Sequence, residues 1–385
     1  MGRVVVYLQI AVVAFALAGC GGGSKTHQLL SGTITPAPAS AIAATHSIFV
    51  ATTRAPAADH AEVFSRARSP DLSLAKVEVS VPASHKLGAT ERPKRGVRDP
   101  AKYFTATSVT GYDEKAFAQA LRSDIKKRGG RAIVFIHGYN TKFDDAVYRM
   151  TQLVHDAGYD GTPILFTWAS GGRVTDYVYD SNSAHAARDQ LEATLRLVSH
   201  AGAKRVDILA HSMGNWVTME ALRQLAITDD RDLDGRLGDV LLASPDIDVD
   251  VFKTQMQRYG KPDKPFIVLL SADDRALRIS GLIAGNRPRV GDYGDAAELA
   301  ELGVTVVNVS DVASGDRLNH SKFADNPVLV KLLGERLRAG DTIASETELA
   351  DRIGNLTTGI GHAVTSAANI IITTPLRVVT VAVGG

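Results

Sequence analysis

Short, mostly apolar runs alternating with helical patterns constrain this chain more than any other feature. The runs lie at 132–136, 163–168, 205–210, 239–243, 266–270 and 304–309. A strand without polar alternation has to be buried on both faces, which is the habit of parallel sheets covered by helices. Between the runs, apolar residues recur at helical spacing in 143–157, 184–200, 216–226 and 327–338. Upstream, 113–127 carries Phe117, Leu121 and Ile125 at i, i+4 and i+8. This alternation predicts an α/β fold with a mostly parallel central sheet and helices on both faces. Two earlier stretches, 47–52 and the alternating 76–81, read as strands, and the basic, turn-rich 82–100 reads as a surface loop.

Both ends of the chain differ from this pattern. Arg3 precedes an apolar run at 4–18 that is shorter than the ~20 residues needed to span a bilayer. It ends in Leu17-Ala18-Gly19-Cys20, which resembles a bacterial lipobox. That resemblance implies a signal peptide over 1–19, cleavage before Cys20 and lipid on its thiol and new amine; several acyl chains hold a domain at a membrane far better than one. Gly21, in place of Asp, points to outer-membrane sorting in a diderm cell, with the domain on the periplasmic face. Cys20 is the chain's one cysteine, so an intramolecular disulfide or a multi-cysteine metal site is excluded. Residues 20–45, rich in Gly, Ser, Thr, Pro and Ala, read as a flexible tether, and 46–340 as the catalytic domain. The tail, 341–385, is expected to hold an amphipathic helix at 346–362 and an apolar end broken by Pro375 and Arg377, packed on the core or on a membrane surface. With 43 basic against 42 acidic residues, there is no electrostatic case for a nucleic-acid partner.

The chemistry is carried by one turn. The run at 205–210 enters Ala210-His211-Ser212-Met213-Gly214, and a helical pattern follows. A strand–serine–helix turn this tight requires small residues two before and two after the serine, and Ala210 and Gly214 meet that need. It raises the Ser212 hydroxyl at the carboxyl edge of the sheet and aims the Met213 amide at the same point. The run at 132–136 ends in His137-Gly138-Tyr139-Asn140, where the Tyr139 amide supplies a second oxyanion donor. His137 precedes the serine and reads as structural. A serine needs a base, and the base needs an acid. The acid is expected after the run at 266–270, where Asp274 is preferred, with Asp273 and, one strand earlier, Asp246 as alternatives. The base is expected after the last run, where His320 stands, with His362 in the tail as a distant second. The stretch 169–180 reads as a loop at the pocket rim. His137, Gly138, Asn140, His211, Trp168, Tyr177 and Tyr179 are the expected pocket residues.

Residues 46–340 resemble the α/β-hydrolase superfamily, and within it a little-characterised bacterial branch described only as esterase/lipase-like. The motifs are Ile136-His137-Gly138-Tyr139-Asn140, Phe166-Thr167-Trp168, Ala210-His211-Ser212-Met213-Gly214, Ser244-Pro245-Asp246-Ile247-Asp248 and Asp274-Arg275-Ala276-Leu277. The stretch 77–88, with Pro82 and His85, also fits the start of that branch's domain. The order Ser212, Asp274, His320 is that superfamily's order. The expectation is a serine hydrolase acting on a small-molecule or lipid-like ester, with no metal or organic cofactor. An amidase, peptidase or acyltransferase on the same triad, or a catalytically silent envelope binding protein, remains open. A dehalogenase or epoxide hydrolase would carry a carboxylate where Ser212 stands.

Overall fold

The apolar runs become neighbouring strands. The computed structural model describes residues 28–92, 97–339 and 368–383. The expected signal peptide, Cys20, the helix at 346–362 and His362 lie outside the described residues. The strands are β1 (Ile42–Pro56), β2 (Phe64–Pro82), β3 (Thr105–Tyr112), β4 (Arg131–Ile136), β5 (Thr162–Thr167) and β6 (Arg205–His211). They continue as β7 (Leu237–Ala243), β8 (Phe266–Leu270), β9 (Val304–Asn308), β10 (Ala368–Thr373) and β11 (Val378–Val383). They form one 11-stranded sheet in the order β11-β10-β9-β8-β7-β6-β4-β5-β1-β2-β3. From β1 to β9 along that order every neighbouring pair is parallel. Antiparallel strands close the sheet at both ends.

Helices cover both faces. One face packs under α1 (Glu114–Lys127), α3 (Tyr177–Ala186), α4 (Arg188–His200), α5 (Met213–Ile227), α6 (Val249–Tyr259) and α8 (Ala296–Glu301). The other packs under α2 (Phe143–Asp156), α9 (Lys322–Asp325) and α10 (Pro327–Ala339). Between them in sequence, α7 (Arg275–Ile283) follows β8. α1 shows the local logic: Asp113 caps it by accepting from the Ala116 amide, and Phe117, Leu121 and Ile125 are its buried residues. Each such side chain contributes ~1.5–3 kcal/mol through burial.

Four expectations change. β3 is an extra edge strand; its sequence, Thr-Ala-Thr-Ser-Val-Thr-Gly-Tyr, is too polar to register as an apolar run. The helix expected over 184–200 is two helices, because the chain breaks at Ala187. The described part of the expected tether is held to the fold: Leu29 is buried among core residues, Thr35 pairs with Arg98, and β1 begins at Ile42. The strand-like end of the tail belongs to the sheet. Pro375 and Arg377 sit in the turn between β10 and β11, where the Thr374 amide donates to the Arg377 carbonyl at 2.9 Å. The breakers mark a hairpin turn, and Ile370 and Ile372 are buried on the same face as α10.

Candidate active site

Parallel strands point all their carboxyl ends one way. Ser212 follows β6, the 137–141 segment follows β4, Asp246 follows β7, Asp274 follows β8, and His320 lies beyond β9. Side chains 183 residues or fewer apart in sequence are thus gathered at one sheet edge, where ligand sites of open α/β sheets lie.

Ser212 sits at φ 52° and ψ −125°, between β6 and α5. A non-glycine residue there costs about 1–3 kcal/mol, so the surroundings must hold it. The Ser212 amide donates to the Ala243 carbonyl at 3.0 Å, and its own carbonyl accepts from the Asn215 side chain and the Asp246 amide. The same Asn215 amide group also reaches the Ala243 carbonyl. Two glycines allow the close approach. A Cβ on Gly214 would lie 2.4 Å from the His137 carbonyl oxygen, and one on Gly138 would lie 2.8 Å from the Ser212 Cβ. Met213 is the first residue of α5, so its amide belongs to the unpaired first turn.

Of the three candidate acids, Asp274 is the one that meets His320. His320 Nδ1 lies 2.7 Å from Asp274 Oδ2, and Asp274 is fully buried. The other Asp274 oxygen accepts from the Ala276 and Leu277 amides, capping α7 and fixing the carboxylate plane. Burial of His320 (7% exposed) lowers its pKa, but the Asp274 charge and hydrogen bond prevail, and the imidazole sits above its ordinary value. Asp273 faces elsewhere: it binds Lys322 Nζ and Asn319 Nδ2, both at 2.7 Å, and Ser271. Asp246 also misses His320. It meets Ser280, Arg289 and the Tyr177 hydroxyl on the opposite wall.

Ser212 and His320 line one cleft of about 300 Å³. His137, Gly138, Tyr139, Asn140, Tyr177, His211 and Asp246 also line it. The lining is mixed, with Phe135, Leu277 and Phe323 beside Arg92, Asp145, Arg149 and Asp316. Two expected pocket residues are elsewhere. Trp168 is fully buried behind the site: its Nε1 donates to the His137 carbonyl at 2.9 Å and its ring stacks on the His137 imidazole. Tyr179 turns away, its hydroxyl on the Arg66 carbonyl and its ring under the Arg68 guanidinium. The physical reason is that 177–186 is helical, and residues two apart on a helix cannot face the same side.

Of the supporting contacts, only the structural role of His137 was read from the sequence. His137 is buried, bonds Gly138 and Thr167, and is pushed down to about 3 by burial and by Arg54, so it stays neutral. Arg54, at the end of β1, is itself buried; it donates to Thr167 Oγ1, the Ser170 carbonyl and the Thr141 carbonyl. Asp180 accepts from the Asn140 and Gly171 amides and the Ser170 hydroxyl. Together these groups set the path of the 137–141 segment. On the other side, His211 Nε2 lies 3.1 Å from the His320 carbonyl oxygen. Burial and the adjacent His320 hold its pKa well below the ordinary value, so a neutral ring donates to that carbonyl. Asp316 accepts from the Leu318, His320 and Ser321 amides. The one available clue was Arg54 itself, a charge at the end of an otherwise uncharged strand.

A family model described as an alpha/beta hydrolase of unknown function matches residues 113–336. The chain belongs to that family. The match runs from the start of α1 into α10 and includes Ser212, Asp274 and His320. Among solved structures, the chain is similar to the apo form of esterase 2 from Thermogutta terrifontis, at 14% identity and a TM-score of 0.27. That likeness covers 76% of this chain and 92% of the other. No curated protein matches. This chain is therefore an α/β-hydrolase, and the family description names no substrate.

Proposed function

We propose that this hydrolase cleaves a carboxylic ester by acyl transfer to water, with Ser212 as nucleophile. One observation carries the reading: a serine on a strained strand–helix turn shares a cleft with a histidine bonded to a buried aspartate. In the proposed reaction His320 takes the Ser212 proton as the hydroxyl attacks the ester carbonyl. The Met213 and Tyr139 amides hold the oxyanion; loss of one such donor typically costs about 3–4 kcal/mol of transition-state stabilisation. His320 returns its proton to the leaving alcohol, then activates the water that releases the acid from Ser212. Asp274 fixes the tautomer of His320 and stabilises its protonated form.

The cleft volume, at the low end of small-molecule sites, and its charged lining favour a compact, polar ester over a long acyl chain. Amides or acyl acceptors other than water would use the same groups. The Leu17-Ala18-Gly19-Cys20 motif supports placing the enzyme at a bacterial membrane through lipid on Cys20.

The test is labelling by a fluorophosphonate probe together with turnover of a panel of short p-nitrophenyl esters and anilides. Ser212→Ala is expected to abolish labelling and to lower kcat by at least ~10³-fold. Full turnover by Ser212→Ala would remove Ser212 as the nucleophile. A folded wild-type chain that neither labels nor turns over would favour a silent binding protein.

A further inference from the structure

Three histidines and two carboxylates meet at the end of α2 remote from the cleft. Asp145 and Arg149 of α2 line the cleft, whereas His155 and Asp156 are at its carboxyl end, about 15 Å along the helix from Asp145. His46 comes from β1, and His85 and Glu91 from the segment after β2. One ring nitrogen of His85, one of His155 and one oxygen of Asp156 all lie within 4.8 Å of one another.

Each of these groups is held from behind. His85 Nδ1 meets Glu91 Oε2 at 2.7 Å, which leaves Nε2 facing Asp156 Oδ1 at 2.6 Å. His155 Nδ1 meets His46 Nε2 at 3.2 Å, which leaves its own Nε2. Asp156 Oδ2 accepts from the Gly88 amide and from Gln152 Nε2, so Oδ1 is turned toward the histidines. The Asp156 and His85 side chains are 1% and 6% exposed. An imidazolium between two carboxylates would account for His85 alone. It gives no reason for two further histidines, ring edge against ring face, beside it.

We propose that His85, His155 and Asp156 form a binding site for one zinc-type divalent ion, with Glu91 and His46 orienting the two imidazoles. Two imidazoles and one carboxylate suit zinc in preference to the oxygen-seeking calcium and magnesium. A second partner on each ligating imidazole is the arrangement that fixes its tautomer for a metal. For tetrahedral binding with bonds of about 2.0–2.1 Å and water as the fourth ligand, the ligand atoms stand roughly 3.3 Å apart, so His85 and Asp156 part by less than an ångström from 2.6 Å and the His155 nitrogen, within 4.8 Å, closes by up to about 1.5 Å. The ion pins the segment after β2 to α2. That segment also carries Thr90 and Arg92, which line the cleft. The role is structural, and no step of hydrolysis passes through the metal.

The test uses the full chain, free of any histidine tag, stripped with a chelator and dialysed. Zinc is titrated by calorimetry, metal content is read by mass spectrometry, and cobalt is added as a coloured probe. The expected result is one zinc per chain and the visible bands of cobalt with nitrogen ligands. His155→Gln and Asp156→Asn should each weaken binding by at least ~10-fold, and Glu91→Gln by a similar or smaller factor. Ser212→Ala should bind zinc like wild type, which separates this result from the fate of the hydrolase reading. Sub-stoichiometric zinc in the wild type would overturn the site, with no variant needed. Equal affinity in wild type and both ligand variants would overturn it too.

Discussion

His320 is pulled in two directions. Its burial favours the neutral ring, while the Asp274 carboxylate 2.7 Å from Nδ1 favours the charged one, and the charge prevails. A raised pKa keeps the ring protonated to a higher pH, and a protonated ring cannot accept the Ser212 proton. The acid limb of kcat/KM against pH should therefore lie above the ordinary histidine value of 6.5. Asp274→Asn keeps the cap on α7 but removes the charge. It should move that limb down and lower kcat by on the order of 10³–10⁴-fold, measured on a soluble p-nitrophenyl ester. A limb that stays in place in Asp274→Asn would count against the pairing. At this scale the serine and the histidine were legible, because one sits in a turn that tolerates few residues and the other lies beyond the last strand. The choice among Asp246, Asp273 and Asp274 was not. Each follows a strand at the same sheet edge, and only side-chain direction separates them.

Elements were legible where burial left a pattern. The continuous apolar strands were, because a strand covered on both faces admits few polar residues. β3 was not, since an edge strand needs little apolar surface. The 169–180 stretch was read as loop, and its conversion to helix from Tyr177 decides that Tyr177 faces Asp246 while Tyr179 faces Arg66. The β10–β11 hairpin was masked by its own turn residues. It pairs with β9 through Ile372 and Val307, and it buries Ile370 and Ile372. Ending the chain at residue 367 removes both isoleucines from the core, at ~1.5–3 kcal/mol each, and bares the β9 edge. The melting temperature should fall by on the order of 10 °C, with association that grows with concentration. Scanning calorimetry and light scattering read the two effects. An unchanged melting temperature in a monomeric truncation would show that the hairpin adds nothing to the sheet.

At the scale of the whole molecule, a proposed N-terminal address precedes the hydrolase domain. Among the described residues no helix is long and apolar enough to cross a membrane. The proposed membrane attachment rests on the Leu17-Ala18-Gly19-Cys20 motif, and it predicts that the full chain, expressed in a bacterium, takes up a labelled fatty acid and partitions with membranes. Cys20→Ala should lose the label; a variant that still incorporates it would refute lipidation at that position. The sequence alone determined the sheet-forming runs, the serine turn and the order in which a serine, a set of candidate acids and His320 follow successive strands. Those depend on constraints local to each segment: burial on both faces, a turn with no room for a side chain, and the succession of strands. Tertiary structure alone decided which aspartate meets His320, which rings line the cleft, and that His46, His85 and His155 come together. These follow from the direction each side chain takes once distant elements pack, and no window of sequence contains both sides of such a contact.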